Sequence, residues 1–146
     1  MFRNTELIYS DEIGAAVSEM GFKAILTEGA SHILAWKSPG HIYVNAINPR
    51  LKILLRNFQL SDDIAFRFSD KGWGELPLSA KKYITWASRY NSSDELINLF
   101  MDYETFGEHC KKETGIFQFI QSIPPAVFSR SSFNCMTPSE VVENYQ

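Results

Sequence analysis

Residues 2–28, FRNTELIYSDEIGAAVSEMGFKAILTE, carry the strongest local structural signals in the chain. Ser10 is followed by two acids, the pattern of a helix N-cap and first turn, and apolar residues then recur at helical spacing up to Gly21, a typical C-cap residue. Residues 22–27 form a short, mostly apolar run, which is typical of a buried parallel strand. With a strand over residues 1–6, this stretch predicts a strand, a helix and a second strand.

The middle of the chain predicts a hairpin and two capped helical segments. Residues 42–47 and 51–55 are rich in β-branched and apolar side chains, and they flank the turn-forming pair Asn48-Pro49. Ser61 precedes two acids and an apolar segment, so we expect it to cap a helical turn. Ser79 is expected to cap a longer amphipathic helix.

The last third of the chain predicts a strand and two helices. Residues 96–101 are an apolar run of the right length for a buried strand. A helix is expected over residues 111–121 and should stop before Pro124 and Pro125, because proline disrupts a helix interior. Thr137 begins a capping box with proline at the first helical position.

Strands that alternate with helices predict an α/β fold with a parallel sheet and outer helices, either an open sheet or part of a closed barrel. The first strand and the last helix both look cut. We therefore favour part of a barrel, truncated at both ends, and treat residues 1–146 as a single partial catalytic domain.

The amino-acid composition argues against several classes of protein. The 146 residues are 45% apolar, with 14 basic and 17 acidic side chains, and no basic run is suited to binding several phosphates, so nucleic-acid binding is disfavoured. No apolar stretch approaches the roughly 20 residues that span a bilayer. Cys110 and Cys135 lack the CxxC spacing of redox and zinc sites, which predicts reduced thiols in a reducing compartment.

Two acids are predicted to follow strands at the carboxyl edge of the sheet, where active residues gather in parallel α/β folds. Glu6 follows the first strand, and Asp102 follows the predicted strand over residues 96–101. A pair of carboxylates is what glycosidic cleavage requires. The alternative is that both acids are helix caps or solvated loop residues.

Other residues allow different site chemistry. Asp102, Glu104 and His109 have oxygen and imidazole ligands that suit divalent metals, although no second histidine lies near them. Aromatic rings can also stack on the apolar faces of sugars. The candidates are Trp36, Trp73, Trp86, Tyr103 and Phe106, of which Trp73, in a Gly-Trp-Gly loop, is the best exposed platform; it could equally be a lid over the core.

Three segments resemble the α-amylase-like members of glycoside hydrolase family 57. They are residues 2–9 (FRNTELIY), 54–68 (LLRNFQLSDDIAFRF) and 99–109 (LFMDYETFGEH). The resemblance implies an irregular (β/α)7 barrel that acts on α-1,4-glucans or maltooligosaccharides with retention of configuration. It also implies that no metal or organic cofactor is needed and that the enzyme is cytoplasmic.

Carried over by position, the resemblance makes Glu6 the nucleophile and Asp102 the general acid/base, within the pattern Asp-x-Glu-x-Phe-Gly. His109 and Glu104 then become weaker substrate contacts, and with Trp73 they complete the predicted substrate-binding set. The family's His-Gln-Pro motif is absent, so we expect an internal part of a larger amylase-like enzyme. The alternative is an inactive carbohydrate-binding or degenerate fragment, and the sequence leaves open whether the activity is hydrolysis, transfer or branching.

Overall fold

The computed structural model describes residues 1–89, 93–130 and 132–145. The chain divides into two compact units. The sheet unit comprises residues 1–58, 93–99 and 136–146, and the helical unit comprises residues 59–92 and 100–135. The α-helices are α1 (Asp11–Glu19), α2 (Ser31–Leu34), α3 (Phe58–Asp62), α4 (Ala80–Ala87), α5 (Ile116–Phe128) and α6 (Pro138–Asn144). Within the described residues, no helix has the length and apolar character that crossing a bilayer requires.

Four strands form the sheet in the order β1-β2-β4-β3. The β1/β2 and β2/β4 pairs are parallel, whereas β3 and β4 are antiparallel and form the predicted hairpin. The expected α/β class is therefore confirmed, with a sheet that is mostly, rather than entirely, parallel. The strands are β1 (Phe2–Arg3), β2 (Ala24–Glu28), β3 (Ile42–Val44) and β4 (Lys52–Arg56).

The predicted strand, helix and strand at the start of the chain are confirmed, although β1 is shorter than expected. The Ser10 hydroxyl accepts a hydrogen bond from the Ile13 amide at 3.3 Å, so it caps α1 as predicted. Gly21 follows the helix with φ +88°, a conformation that costs glycine little. Helix α1 therefore forms the crossover between the parallel strands β1 and β2.

The core of the sheet unit lies where α1 packs against the sheet. Fully or almost fully buried side chains come from α1, β2, β4 and the residue just before β4, and the partly buried Leu34 of α2 packs against them. Burial of one such side chain contributes about 1.5–3 kcal/mol relative to leaving it in water. The buried set is Val17, Ile25, Leu51, Ile53 and Leu55.

The helical unit is organised around the ring of Tyr83 on α4. Its hydroxyl donates a 2.7 Å hydrogen bond to the carbonyl of Leu60, and its ring meets Phe119 edge-on at 5.7 Å. Phe68 also packs on Phe119, at 4.9 Å. These contacts join α3 and its π-helical continuation over residues 63–67 to α4 and α5.

Ser61 is not the predicted N-cap. Helix α3 begins earlier, at Phe58, and Ser61 lies buried inside it. Its hydroxyl accepts a hydrogen bond from the amide of Phe100 at 3.3 Å. The local pattern of serine followed by acids is therefore overridden by a partner far along the chain.

The strand predicted over residues 96–101 is wrong, since these residues join no ladder. Their polar groups bind elsewhere: the amide of Leu96 donates to the carbonyl of Gly40 at 3.0 Å, and the carbonyl of Asn98 accepts from the amide of Asn57 at 2.8 Å. The side chain of Asn98 donates to the carbonyl of Leu55 at 3.0 Å. A short apolar run cannot by itself distinguish a strand from an irregular segment that packs on the end of β4.

The prediction that the helix stops before Pro124 and Pro125 is wrong, because both prolines lie inside α5. Each internal proline removes a backbone hydrogen bond and costs about 3 kcal/mol. Helix α5 continues because residues on both sides of the prolines are buried, among them Phe119 and Val127. By contrast, the capping box at Thr137 forms as predicted: the Glu140 carboxylate accepts from the Thr137 amide at 2.7 Å.

Candidate active site

Glu6 lies in a strained turn directly after β1. The turn is a 3₁₀ helix over Thr5–Leu7, and inside it Glu6 has φ 52° and ψ 21° and Leu7 has φ 55°. Left-handed backbone costs a non-glycine residue about 1–3 kcal/mol and persists only where the surroundings enforce it. Such strain is concentrated at functional sites, so the conformation of Glu6 makes this turn a candidate functional site.

Two side chains hold the turn in place. The carboxamide of Asn4 accepts from the amide of Thr5 at 3.0 Å and donates to the carbonyl of Ile8 at 3.1 Å, so it spans the turn from one end to the other. From β2, the hydroxyl of Thr27 donates a buried 2.7 Å hydrogen bond to the carbonyl of Leu7. The exposed Glu6 is thereby fixed at the carboxyl edge of the sheet.

Glu28 and Arg56 end the two neighbouring parallel strands at the same edge. The guanidinium of Arg56 lies 3.1 Å from a carboxylate oxygen of Glu28. The Arg56 side chain is only 10% exposed and that of Glu28 is 37% exposed, so the positive charge is largely removed from water beside its partner. The sequence does not reveal this pair, because no local pattern shows that two residues 28 positions apart end neighbouring strands.

Asp102 also begins a tight turn, but it does not follow a strand. It precedes the 3₁₀ helix Tyr103–Thr105, and its carbonyl accepts from the amide of Thr105 at 3.1 Å. The turn closes on Cys110, whose amide donates to the carbonyl of Thr105 at 3.0 Å and whose thiol is fully buried, 3.8 Å from the carbonyl of Ile64. The Asp-x-Glu-x-Phe-Gly segment is therefore a compact loop with the exposed Asp102 at its start.

Glu104 and His109 belong to the same loop. The carbonyl of Glu104 accepts from the amide of His109 at 3.0 Å, and both side chains are exposed. His109 also lines a groove of about 1100 Å³ in the helical unit, with Phe68 and Phe119 among the lining residues. Over residues 1–89, 93–130 and 132–145, no three His, Cys, Asp or Glu side chains are placed to hold a metal, so the arrangement lends no support to the metal alternative.

The whole chain, residues 1–146, matches the family model described as glycosyl hydrolase family 57. The chain belongs to glycosyl hydrolase family 57. It is 47% identical over 146 residues to a protein of Methanocaldococcus jannaschii described as a "putative alpha-amylase". That alignment covers 100% of this chain and 30% of the relative, so the chain spans about a third of that protein's length. No solved structure matches the chain.

This family 57 chain carries its two candidate catalytic acids in different units. Glu6 belongs to the sheet unit and Asp102 to the helical unit. Glu104, His109 and Trp73 also belong to the helical unit. The structure thus gathers Asp102, Glu104 and His109 on one loop and places Glu6 at the end of a parallel strand.

In this family 57 chain, the Trp73 side chain is less exposed to solvent than its Gly-Trp-Gly context predicts. Its ring is half-buried and meets the ring of Trp86 edge-on at 5.9 Å, and the ammonium of Lys82 lies 5.2 Å from the Trp86 ring. The most exposed aromatic side chains in the described residues are instead Tyr103, at 93%, and Trp36, at 88%. Sequence alone could not rank these rings, because exposure depends on tertiary packing.

A polar network connects Tyr9, three residues after Glu6, to helix α1 and to Asn45. The hydroxyl of Tyr9 donates to the carboxylate of Asp11 at 2.9 Å and accepts from the carboxamide of Asn45 at 2.7 Å. Burial, opposed by the Asn45 hydrogen bond and reinforced by the nearby Asp11, raises the pKa of Tyr9 to about 12. The network therefore fixes the chain three residues after Glu6.

Proposed function

We propose that this chain supplies the catalytic carboxylates of a retaining glycosidase acting on α-1,4-glucans, with Glu6 as the nucleophile and Asp102 as the general acid/base. One observation carries the proposal: the exposed Glu6 sits on a strained turn that Thr27 fastens at the carboxyl edge of three parallel strands. The description of the Methanocaldococcus jannaschii relative as a "putative alpha-amylase" supports the choice of substrate.

The first chemical step is an exchange of bonds at the anomeric carbon. The Glu6 carboxylate attacks this carbon and forms a glycosyl ester, while the bond to the leaving oxygen breaks and Asp102 gives that oxygen its proton. The leaving chain departs with a free hydroxyl. Asp102 is then a carboxylate, ready for the second step.

The second step restores the enzyme. Asp102 takes a proton from water as the water oxygen attacks the anomeric carbon, and the ester bond to Glu6 breaks. Two inversions give net retention. An acceptor sugar hydroxyl in place of water gives transfer or branching by the same groups, so the choice between hydrolysis and transfer depends on the acceptor subsites.

The local backbone suits these roles. A nucleophile has to be held at one position, because a displacement of about 1 Å can cost 10²-fold in rate. The bonds to Asn4 and Thr27 hold the Glu6 turn, and the bonds that close on Cys110 hold the Asp102 loop. We assign secondary contacts with sugar hydroxyls to Glu104 and His109, and a partial ring contact to Trp73.

The proposal also includes the fold of the complete catalytic domain. We assign β1, β2 and β4 to the wall of a seven-stranded barrel, within a single catalytic domain to which residues 1–146 contribute. Their parallel order and the position of Glu6 at the carboxyl ends of the strands support this, since barrel enzymes place their catalytic groups there. The two unpaired thiols, Cys110 and Cys135, support a reducing compartment such as the cytoplasm.

Two substrates separate the two catalytic roles. Maltoheptaose needs a proton on its leaving oxygen, whereas fluoride leaves α-glucosyl fluoride without one. Glu6→Gln should reduce turnover of both substrates by several orders of magnitude, because it removes the nucleophile. Asp102→Asn should reduce maltoheptaose turnover by about 10²–10⁴-fold, yet still release a single-turnover burst of fluoride.

Matched controls are available on neighbouring elements. Glu12 is an exposed acid of α1, and Glu108 is an exposed acid of the Asp102 loop. Glu12→Gln and Glu108→Gln should leave both reactions unchanged. Full activity in Glu6→Gln would refute the assignment, and binding of maltoheptaose without any turnover by the wild-type chain would favour the inactive carbohydrate-binding alternative.

A further inference from the structure

The loop between β2 and β3 holds an exposed tryptophan at the same edge of the sheet as Glu6. The loop leaves the sheet after Glu28 and returns at Ile42, which pairs with Leu54 in the middle of β4. A β-carbon added to Gly29 would lie 3.0 Å from the β-carbon of Pro39, so the start and end of the loop nearly touch. The loop is therefore a compact projection from the carboxyl edge.

Contacts on both sides of Trp36 fix this loop. On one side, Leu34 packs against the core of the sheet unit. On the other, the carbonyl of Ser38 accepts from the hydroxyl of Tyr43 at 2.7 Å, and the hydroxyl of Ser38 accepts from the amide of Gly40 at 3.0 Å. Trp36 thus projects from an anchored loop, with 88% of its surface in solvent.

The backbone before Trp36 is strained. Ala35 has φ 54° and ψ −108°, outside the regions that an L-residue adopts freely. Among the described residues, three that are not glycine have positive φ: Glu6, Leu7 and Ala35. All three lie at the carboxyl edge of the sheet unit, after β1 or after β2. The strain that presents Trp36 is therefore concentrated at the edge that presents Glu6.

We propose that Trp36 is a stacking platform for one glucose ring of the α-glucan, in a subsite beside Glu6. The inference rests on the proposed function and adds a binding residue to it. An indole ring buries a large apolar area while ordering few bonds, and the carbon faces of a pyranose ring are apolar. An exposed ring on a fixed loop meets that requirement, whereas packing gives Trp36 no role in the core of the sheet unit.

Isothermal titration of the chain with maltoheptaose tests the platform. Trp36→Ala should raise the Kd by about 10-fold, the upper end of what one aromatic contact contributes, while Trp36→Tyr should stay within about 3-fold of wild type. Ile33→Ala is the matched control, because Ile33 is 76% exposed in the same loop and carries no ring. It should bind as wild type does. The exposure of both side chains predicts unchanged melting temperatures in all three variants.

A second readout follows the ring itself. The chain has three tryptophans, and maltoheptaose should protect one exposed component of the fluorescence from acrylamide quenching in wild type but not in Trp36→Tyr. An unchanged Kd in Trp36→Ala, with wild-type binding intact, would overturn the platform and leave the proposed function standing. An equal loss in Ile33→Ala would overturn stacking in favour of a general apolar contact surface. Absence of binding by the wild-type chain would contradict both proposals together.

Discussion

The hydroxyl of Thr27 on β2 donates a buried 2.7 Å hydrogen bond to the carbonyl of Leu7, the residue after Glu6. The two partners are 20 positions apart in sequence, with helix α1 between them. The bond ties a strained turn to the neighbouring parallel strand. In the proposed mechanism, Thr27 is therefore a positioning residue for the nucleophile.

Replacing Thr27 should reveal this role. Thr27→Val keeps the shape of the side chain but leaves the Leu7 carbonyl without its donor, so the free energy of unfolding should fall by about 1–3 kcal/mol. The kcat for glucan should also fall under conditions where the variant remains fully folded, because the hydrogen bond that positions the Glu6 turn is lost. Urea unfolding and kcat measured on the same preparation check both effects. Thr27→Ser, which restores the hydroxyl, should recover most of kcat; if Ser and Val behaved alike, the hydrogen bond would not be the cause.

Gly29 is predicted to tolerate no side chain. A β-carbon there would lie 2.3 Å from the carbonyl oxygen of Arg56, a contact with backbone that cannot rotate away. Gly29→Ala should destabilise the sheet unit by about 1–3 kcal/mol or more, as overpacking does. Gly74→Ala is the matched control, because a β-carbon added at that position would have nothing within 4 Å. Equal melting temperatures for the two variants would show that the carboxyl ends of β2 and β4 are not packed as described.

Tyr9 predicts a specific dependence of stability on alkaline pH. Its pKa is raised from 10.0 to about 12, chiefly by burial. The folded state therefore keeps the phenol proton that the unfolded chain releases, so this contribution to stability is complete below pH 10 and is lost as the pH rises towards 12. Between these limits, wild type should lose more stability than Tyr9→Phe, as measured by urea unfolding at a series of pH values. Parallel curves would show that Tyr9 ionises as freely in the folded chain as in the unfolded one.

The ion pair at the edge predicts that arginine and lysine are not equivalent at position 56. Arg56 is nearly buried and presents a planar guanidinium to Glu28 at 3.1 Å. Arg56→Lys keeps the charge but loses the shape of that contact, so we expect a loss of about 1–3 kcal/mol of unfolding free energy. Arg67→Lys is a control, because Arg67 also pairs with an acid, Asp63, but is 42% exposed and should change by less than about 1 kcal/mol. Similar losses at both positions would contradict the importance of burial at Arg56.

The sequence predicted best those features that depend on nearby residues. The N-cap at Ser10, the C-cap glycine at 21 and the capping box at Thr137 all formed, since each needs only partners within one helical turn. The parallel pairing of β1 with β2 followed from the helix between them. Family membership was also predictable, because the motifs around Glu6 and Asp102 are ordered along the chain.

The incorrect predictions have one cause: the structure at these positions depends on partners that are distant in the sequence. Ser61 looked like a cap but binds the amide of Phe100, 39 residues away. Residues 96–101 looked like a strand, yet Leu96 donates to Gly40 and Asn98 binds the end of β4. No local pattern carries that information. The exposure of Trp36 was equally hidden, because it depends on where the anchors at Leu34 and Ser38 leave the intervening loop.

The identity of the nucleophile can be read directly by mass spectrometry. A glucosyl fluoride with a second fluorine at C5 forms the glycosyl ester but slows its hydrolysis, so the adduct accumulates on the attacking carboxylate. We expect one added fluoroglucosyl group, located by peptide sequencing on Glu6, and no adduct in Glu6→Gln. An adduct on any other carboxylate, or turnover of the reagent by Glu6→Gln, would contradict the assignment of Glu6 as the nucleophile.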